Sequence, residues 1–110
     1  MAKKYTVELT SLAQEQVVRI AQYVSDELKA PNAASLLVDK LEAEISKLET
    51  MPERIVLVDR EPWRSKGVHK FIIDDYIAYF IIMEPRDVVR VIAIVVGRMD
   101  QIKQLEKTDV

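Results

Sequence analysis

Two short stretches hold the residue types that grip phosphate and move protons: Glu61-Pro62-Trp63-Arg64-Ser65-Lys66-Gly67-Val68-His69-Lys70-Phe71 and Gly97-Arg98-Met99-Asp100. Arginine holds a phosphate through two parallel N–H donors. Lysine acts as a point charge or, with its pKa depressed, as an acid or base. Histidine is the side chain whose ordinary pKa lies nearest neutrality, and His69 is the one histidine in the chain. Attack on a phosphodiester by a neighbouring hydroxyl needs a group to take its proton, cationic donors around the pentavalent phosphate, and an acid for the leaving oxygen. Arg64, Lys66, His69, Lys70 and Arg98 can fill those roles if the strands that carry them are neighbours.

Each of these residues has a plainer reading. His69 can be a hydrogen-bonded, partly buried strand residue. Arg64, Lys66 and Lys70 can be a solvated loop that discourages edge-strand pairing. Arg98 follows Gly97 at a strand end, where a side chain reaches a cleft most easily, and its alternative is an ion pair with Asp100 or a helix acid. Trp63 reads as a lid over the core edge, since one aromatic among charges is a weak stacking signal. Tyr76 and Tyr79 read as packing residues. Parity along the strand adds a constraint: His69 falls with Phe71 and Ile73, and Lys70 on the other face with Val68 and Ile72. No metal or cofactor site is expected, because Asp74-Asp75 reads as a turn and there is no second histidine.

The elements that must position these residues follow from the hydrophobic period. Residues 5–9 alternate apolar and polar and predict a first strand. Ser11 is the expected N-cap of a helix, with Gln14 completing a capping box. Ala13, Val17, Ile20, Val24 and Leu28 lie on one face of that helix, which must end before Pro31. Asn32 is the expected cap of a second helix, whose stripe is Ala34, Leu37, Leu41, Ile45 and Leu48. So short a connection predicts an antiparallel helical hairpin. Residues 55–58 suggest an edge strand, and residues 68–73, 76–83 and 88–96 are long β-branched and aromatic runs separated by turn-like Asp74-Asp75 and Glu84-Pro85-Arg86-Asp87. A meander of antiparallel neighbours follows, with a short final helix over residues 101–107. In the 76–83 run both faces are apolar. The hairpin can cover only one, so the other requires the C-terminal segment, self-association or a partner.

At 110 residues the chain is expected to form a single domain over residues 1–110. With no cysteine, disulfides and thiolate zinc sites are excluded. The N-terminus lacks an apolar signal region, and no run approaches the roughly 20 apolar residues of a membrane span, so a cytoplasmic protein is expected. The formal net charge of −2 argues against bulk attraction to nucleic acid, but the charge is unevenly spread. Residues 5–50 hold four cations against eight acids, and residues 60–70 hold four cations against one. A polyanion can be held locally at the second segment while the helical side repels it.

The order strand, helical hairpin, meander, with Met51-Pro52-Glu53-Arg54 after the second helix, the Trp63 segment before a strand and Gly97-Arg98-Met99-Asp100 after the last one, resembles the RelE/ParE family of bacterial toxins. That resemblance implies an α+β fold with the hairpin packed on a three- to four-stranded, mainly antiparallel sheet. It also implies the toxin of a type II toxin-antitoxin pair, neutralised by a cognate antitoxin that buries apolar surface and assembles with it. RelE-like members cut mRNA in the ribosomal A site with clustered Lys and Arg, and ParE-like members poison DNA gyrase. Under the first reading Arg98 and Arg64 hold phosphate, His69 is the acid or base, and Lys66 and Lys70 give electrostatic support in RNA binding. Under the second no residue is catalytic, and a decayed toxin that keeps only antitoxin binding is a third outcome. The chain departs from the family pattern at His69, where Arg is usual, and at Val96 and Met99, which replace a His and a second Arg. It also lacks a tyrosine after Tyr79. The basic cluster favours the nuclease, whereas the acidic balance and the departures favour the others.

Overall fold

The computed structural model describes residues 3–97; Arg98, Met99, Asp100 and the expected helix over 101–107 lie outside them. The described chain runs β1 (Thr6–Leu9), α1 (Ser11–Gln22), a π-helical turn (Tyr23–Glu27), α2 (Pro31–Ser46), β2 (His69–Ile73), β3 (Tyr76–Met83) and β4 (Val88–Val96). The four strands form one sheet in the order β1-β4-β3-β2. The expected meander is present, with β2 antiparallel to β3 and β3 to β4. β1 joins β4 in parallel, which the intervening hairpin makes possible as a crossover.

Thr10, not Ser11, caps α1. Its backbone is extended (φ −65°, ψ 163°) and its hydroxyl accepts the Ala13 N–H at 3.2 Å. The Gln14 amide reaches back to Leu9 O at 3.0 Å, so no capping box with Ser11 forms. Asn32 is not a cap either: α2 begins at Pro31, whose missing N–H costs nothing at that position, and Ala30 precedes it without a side-chain cap bond. The helical stripes otherwise fall as expected. Ala13, Leu41, Ile45 and Leu48 are buried with Ala78, Phe80, Val89 and Ile94 in the main core, flanked by Val17, Ile20 and Leu37. Leu28, at the hairpin tip, is exposed.

β4 feeds both faces of the sheet through a bulge. Tyr79 pairs with Ala93 but Phe80 with Val91, so Ile92 is an extra residue and the parity of β4 changes there. Val89 and Val91 before it, and Ile94 after it, all reach the hairpin side, while Ile92, Ala93 and Val95 serve the other. Beyond Leu9 the edge of β4 has lost its β1 partner, and the Gln16 side chain takes over by accepting the Ile94 N–H at 2.7 Å.

The sheet face away from the hairpin is covered in part by the segment that precedes β2. Val58, Trp63 and Val68 pack with Ile77, Tyr79, Ile92 and Val95 into a second core. Residues 55–58 do not form the expected edge strand. They are held to β2 by a single bridge, Leu57 to His69, and by Lys70 N–H to Val56 O and Val58 N–H to Val68 O, both 2.9 Å. The ladder stops there because the Ile55 carbonyl is occupied by a side chain, that of His69.

Candidate functional site

The basic segment is a hydrogen-bonded turn. Arg64 N–H donates to Arg60 O at 3.0 Å, Lys66 N–H to Pro62 O at 3.1 Å and Val68 N–H to Trp63 O at 3.0 Å. The Glu61 carboxylate accepts the Ser65 N–H at 2.8 Å and the Ser65 hydroxyl at 2.7 Å, and these bonds hold its pKa below the usual carboxylate value. Gly67, at φ +81°, reverses the chain into β2 in a conformation that L side chains rarely adopt. Trp63 is half-buried in the second core, as a lid. Arg60, Arg64 and Lys66 are exposed, and one guanidinium nitrogen of Arg64 donates to Val58 O at 3.3 Å and lies 4.0 Å from Asp59.

His69 belongs to a different environment. The residue is 9 % exposed, and its ring stacks on Phe80 with centroids 4.8 Å apart and planes 6° from parallel. Its Nδ1 lies 2.7 Å from Ile55 O, and since a carbonyl only accepts, Nδ1 carries the proton. The partner across the ladder, Phe80, is part of the core beneath the hairpin. Lys70 points to the opposite face and lines a shallow depression of about 290 Å³ with Ile72, Tyr76 and Gly97. The parity constraint read from the sequence therefore holds: the fold does not gather His69 and Lys70 into one cleft. Gly97 N–H donates to Asp75 O at 2.7 Å, and a Cβ at Gly97 would stand 3.3 Å from that oxygen, so the β4 end is drawn tightly onto the β2–β3 turn. Arg98 comes next and lies outside the described residues. Tyr79 is 1 % exposed in the second core, and burial pushes its phenol up to about 12. Among the described residues no three His, Cys, Asp or Glu side chains converge to hold a metal, and no helix is long and apolar enough to cross a membrane.

A larger feature lies where sequence reasoning placed nothing. Between β1, α1 and α2 runs an open groove of about 790 Å³, floored by Tyr5, Val7, Leu9, Val17, Leu41 and Ile45 and rimmed by Lys4, Gln14, Glu42 and Glu49. β1 is the edge strand beside it. Thr6 and Thr10 turn their N–H groups to β4, Tyr5 N–H is taken by Glu49 O at 2.7 Å, and Leu9 O by Gln14. Strand alternation then leaves the amide and carbonyl of Val7 at the open edge. The signal was present in the alternation Tyr5, Val7, Leu9, but only the parallel placement of β1 turned it into a groove wall.

Residues 7–101 match the family model described as ParE toxin of type II toxin-antitoxin system, parDE. No curated protein sequence matches significantly. The fold is shared with solved structures at low identity. One is a chromosomal ParDE system from P. aeruginosa (TM-score 0.71, 15 % identity, 86 % of this chain and 97 % of that one). Another is the RelBE2 toxin-antitoxin complex from Mycobacterium tuberculosis (0.56, 17 %, 84 % and 98 %). A third is a doubly substituted E. coli toxin RelE in the free state (0.59, 10 %, 94 % and 97 %). These show the α+β fold of two helices on a four-stranded mixed sheet.

Proposed function

The chain belongs to the family of ParE toxins of type II toxin-antitoxin systems, and on that footing we propose that it arrests growth by binding DNA gyrase as a protein ligand, and is silenced by an antitoxin segment lying in the groove beside β1. The observation that carries the first half is His69. A general acid or base has to reach the proton it moves. This imidazole donates its Nδ1–H to a backbone carbonyl, which leaves only Nε2 for proton transfer on a residue that is 9 % exposed, lies flat on Phe80 and is separated by the sheet from Lys70. The order of the two mechanisms suggested by the basic cluster is therefore reversed, and the ribosome-dependent nuclease becomes the second reading. It draws its support from the exposed cations Arg64 and Lys66, with Lys70 close to them in sequence and Arg98 in the separate stretch that follows Gly97.

The antitoxin half rests on the groove. An edge strand with an unused backbone pair beside an apolar floor accepts an extended chain by strand addition, with alternate side chains entering the floor. A segment with apolar residues at alternate positions fits that description.

Expression without antitoxin, with mRNA integrity, ribosomal occupancy and plasmid supercoiling followed together, tests the mechanism. The expected result is loss of supercoiling with mRNA intact, kept in His69→Asn, whose side-chain amide can still donate to Ile55 O. Rapid mRNA cleavage abolished by His69→Asn or Arg64→Ala restores the nuclease, and normal growth with retained antitoxin binding identifies a decayed toxin.

A further inference from the structure

The charge of this chain is divided by face. Residues 5–50, which include both helices, hold four cations against eight acids, and residues 60–70 hold four against one. The fold keeps the two groups apart. α1 and α2 cover one side of the sheet, and the basic turn is fastened to the other through Val58, Trp63 and Val68. Lys70 rises from the turn's side, because it alternates with His69, whose ring lies on Phe80 beneath the hairpin.

The turn is a rigid support for its cations. Its backbone bonds, Arg64 N–H to Arg60 O and Lys66 N–H to Pro62 O among them, fix the turn that carries Arg60, Arg64 and Lys66. The acid inside the segment, Glu61, accepts two bonds from Ser65, and Asp59 lies 4.0 Å from Arg64. The rings around these cations are tied into packing: Trp63 is half-buried in the second core, Tyr79 is buried there, His69 is stacked on Phe80, and Tyr76, which lines the depression with Lys70, is half-buried against the main core. Proteins that hold single strands present aromatic platforms on which bases stack, whereas contact with a duplex backbone needs only cations at a suitable spacing.

We propose that Arg60, Arg64 and Lys66, with Lys70, contact the phosphate backbone of duplex DNA, so that the toxin engages gyrase and the DNA held by the enzyme together. The inference rests on the gyrase reading above, which supplies a target that holds duplex. The acidic hairpin, repelled by the same DNA, orients the molecule with its basic turn inward.

The test uses the full chain freed from its antitoxin, a fluorescein-labelled duplex of about 20 base pairs and a single-stranded RNA of equal length, read by anisotropy across a salt series. Binding of DNA-free gyrase is measured in parallel. Neutralising Arg60→Gln, Lys66→Gln and Lys70→Gln together is expected to weaken duplex binding at least about tenfold and to flatten the log–log salt slope by about 2.7, the value for three phosphate contacts. The control, Lys29→Gln with Arg54→Gln and Arg86→Gln, removes equal charge from exposed positions outside the turn and should change affinity less than about twofold. Both triple variants should keep their binding to DNA-free gyrase. Equal losses in the two variants mean bulk charge and overturn the proposal, as does undetectable duplex binding by the parent chain. Tighter binding to the RNA, lost in the first variant, overturns it in favour of a single-strand site. Failure of the parent chain to bind gyrase while duplex binding stays turn-dependent sinks the gyrase reading and the joint engagement, but not the DNA contact.

Discussion

An imidazole that donates to the Ile55 carbonyl at 2.7 Å and lies against Phe80 has little freedom to visit a phosphate. Its removal is a packing event, so His69→Ala should cost about 2 kcal/mol in denaturant unfolding, from the lost hydrogen bond and stack. His69→Asn should recover part of that. A variant that loses activity at full stability would speak instead for chemistry. Tyr79 makes a second prediction at this scale. Its folded pKa is raised to about 12 by burial, so the unfolded chain releases that proton first as pH rises. The contribution is fully present below the unfolded value of about 10 and is lost as pH climbs through the folded value. Alkaline melting between those limits should therefore be shallower in Tyr79→Phe than in the parent chain. Met51 sits at φ +50° with its side chain exposed, a backbone state that suits glycine, and Met51→Gly should be neutral or stabilising by up to about 1 kcal/mol in thermal unfolding.

Among the elements, β1 is the one whose position decides most. It is only four residues long, and its parallel pairing with β4 makes it both the last strand of the sheet and one wall of the groove. Val17→Lys, in the groove wall, should weaken antitoxin binding at least about tenfold through a cation set on an apolar floor, with growth arrest retained, as read by calorimetry and by rescue in cells. Retained affinity would place the antitoxin elsewhere. The period of the two helices and the boundaries of β3 and β4 were legible in the sequence, because apolar spacing follows the geometry of each element. The groove was not, since nothing local to residues 5–9 specifies a parallel partner some eighty residues away. The first cap was misplaced by one residue for a related reason: Thr10 is also tied to β4 through Val91 O and Ile92 O, and that long-range pair selects it over Ser11.

Over the whole molecule, two cores share one sheet, and the bulge at Ile92 lets a single apolar strand feed both. Truncation at the centre of the hairpin-side core should be severe: Leu41, 1 % exposed, should lose about 2–5 kcal/mol on substitution by Ala, measured by urea unfolding. The sequence by itself determined the α+β class, the helical hairpin, the antiparallel meander and the division of charge between the helices and the turn before β2. These are written in local period, turn chemistry and composition, which act over a few residues. Only the tertiary structure decided which of the two faces lies under the hairpin. It put His69 there and Lys70 on the far side, and it opened a groove beside β1. Those outcomes depend on register and on the order of strands in the sheet, where a shift of one residue moves every side chain to the other face.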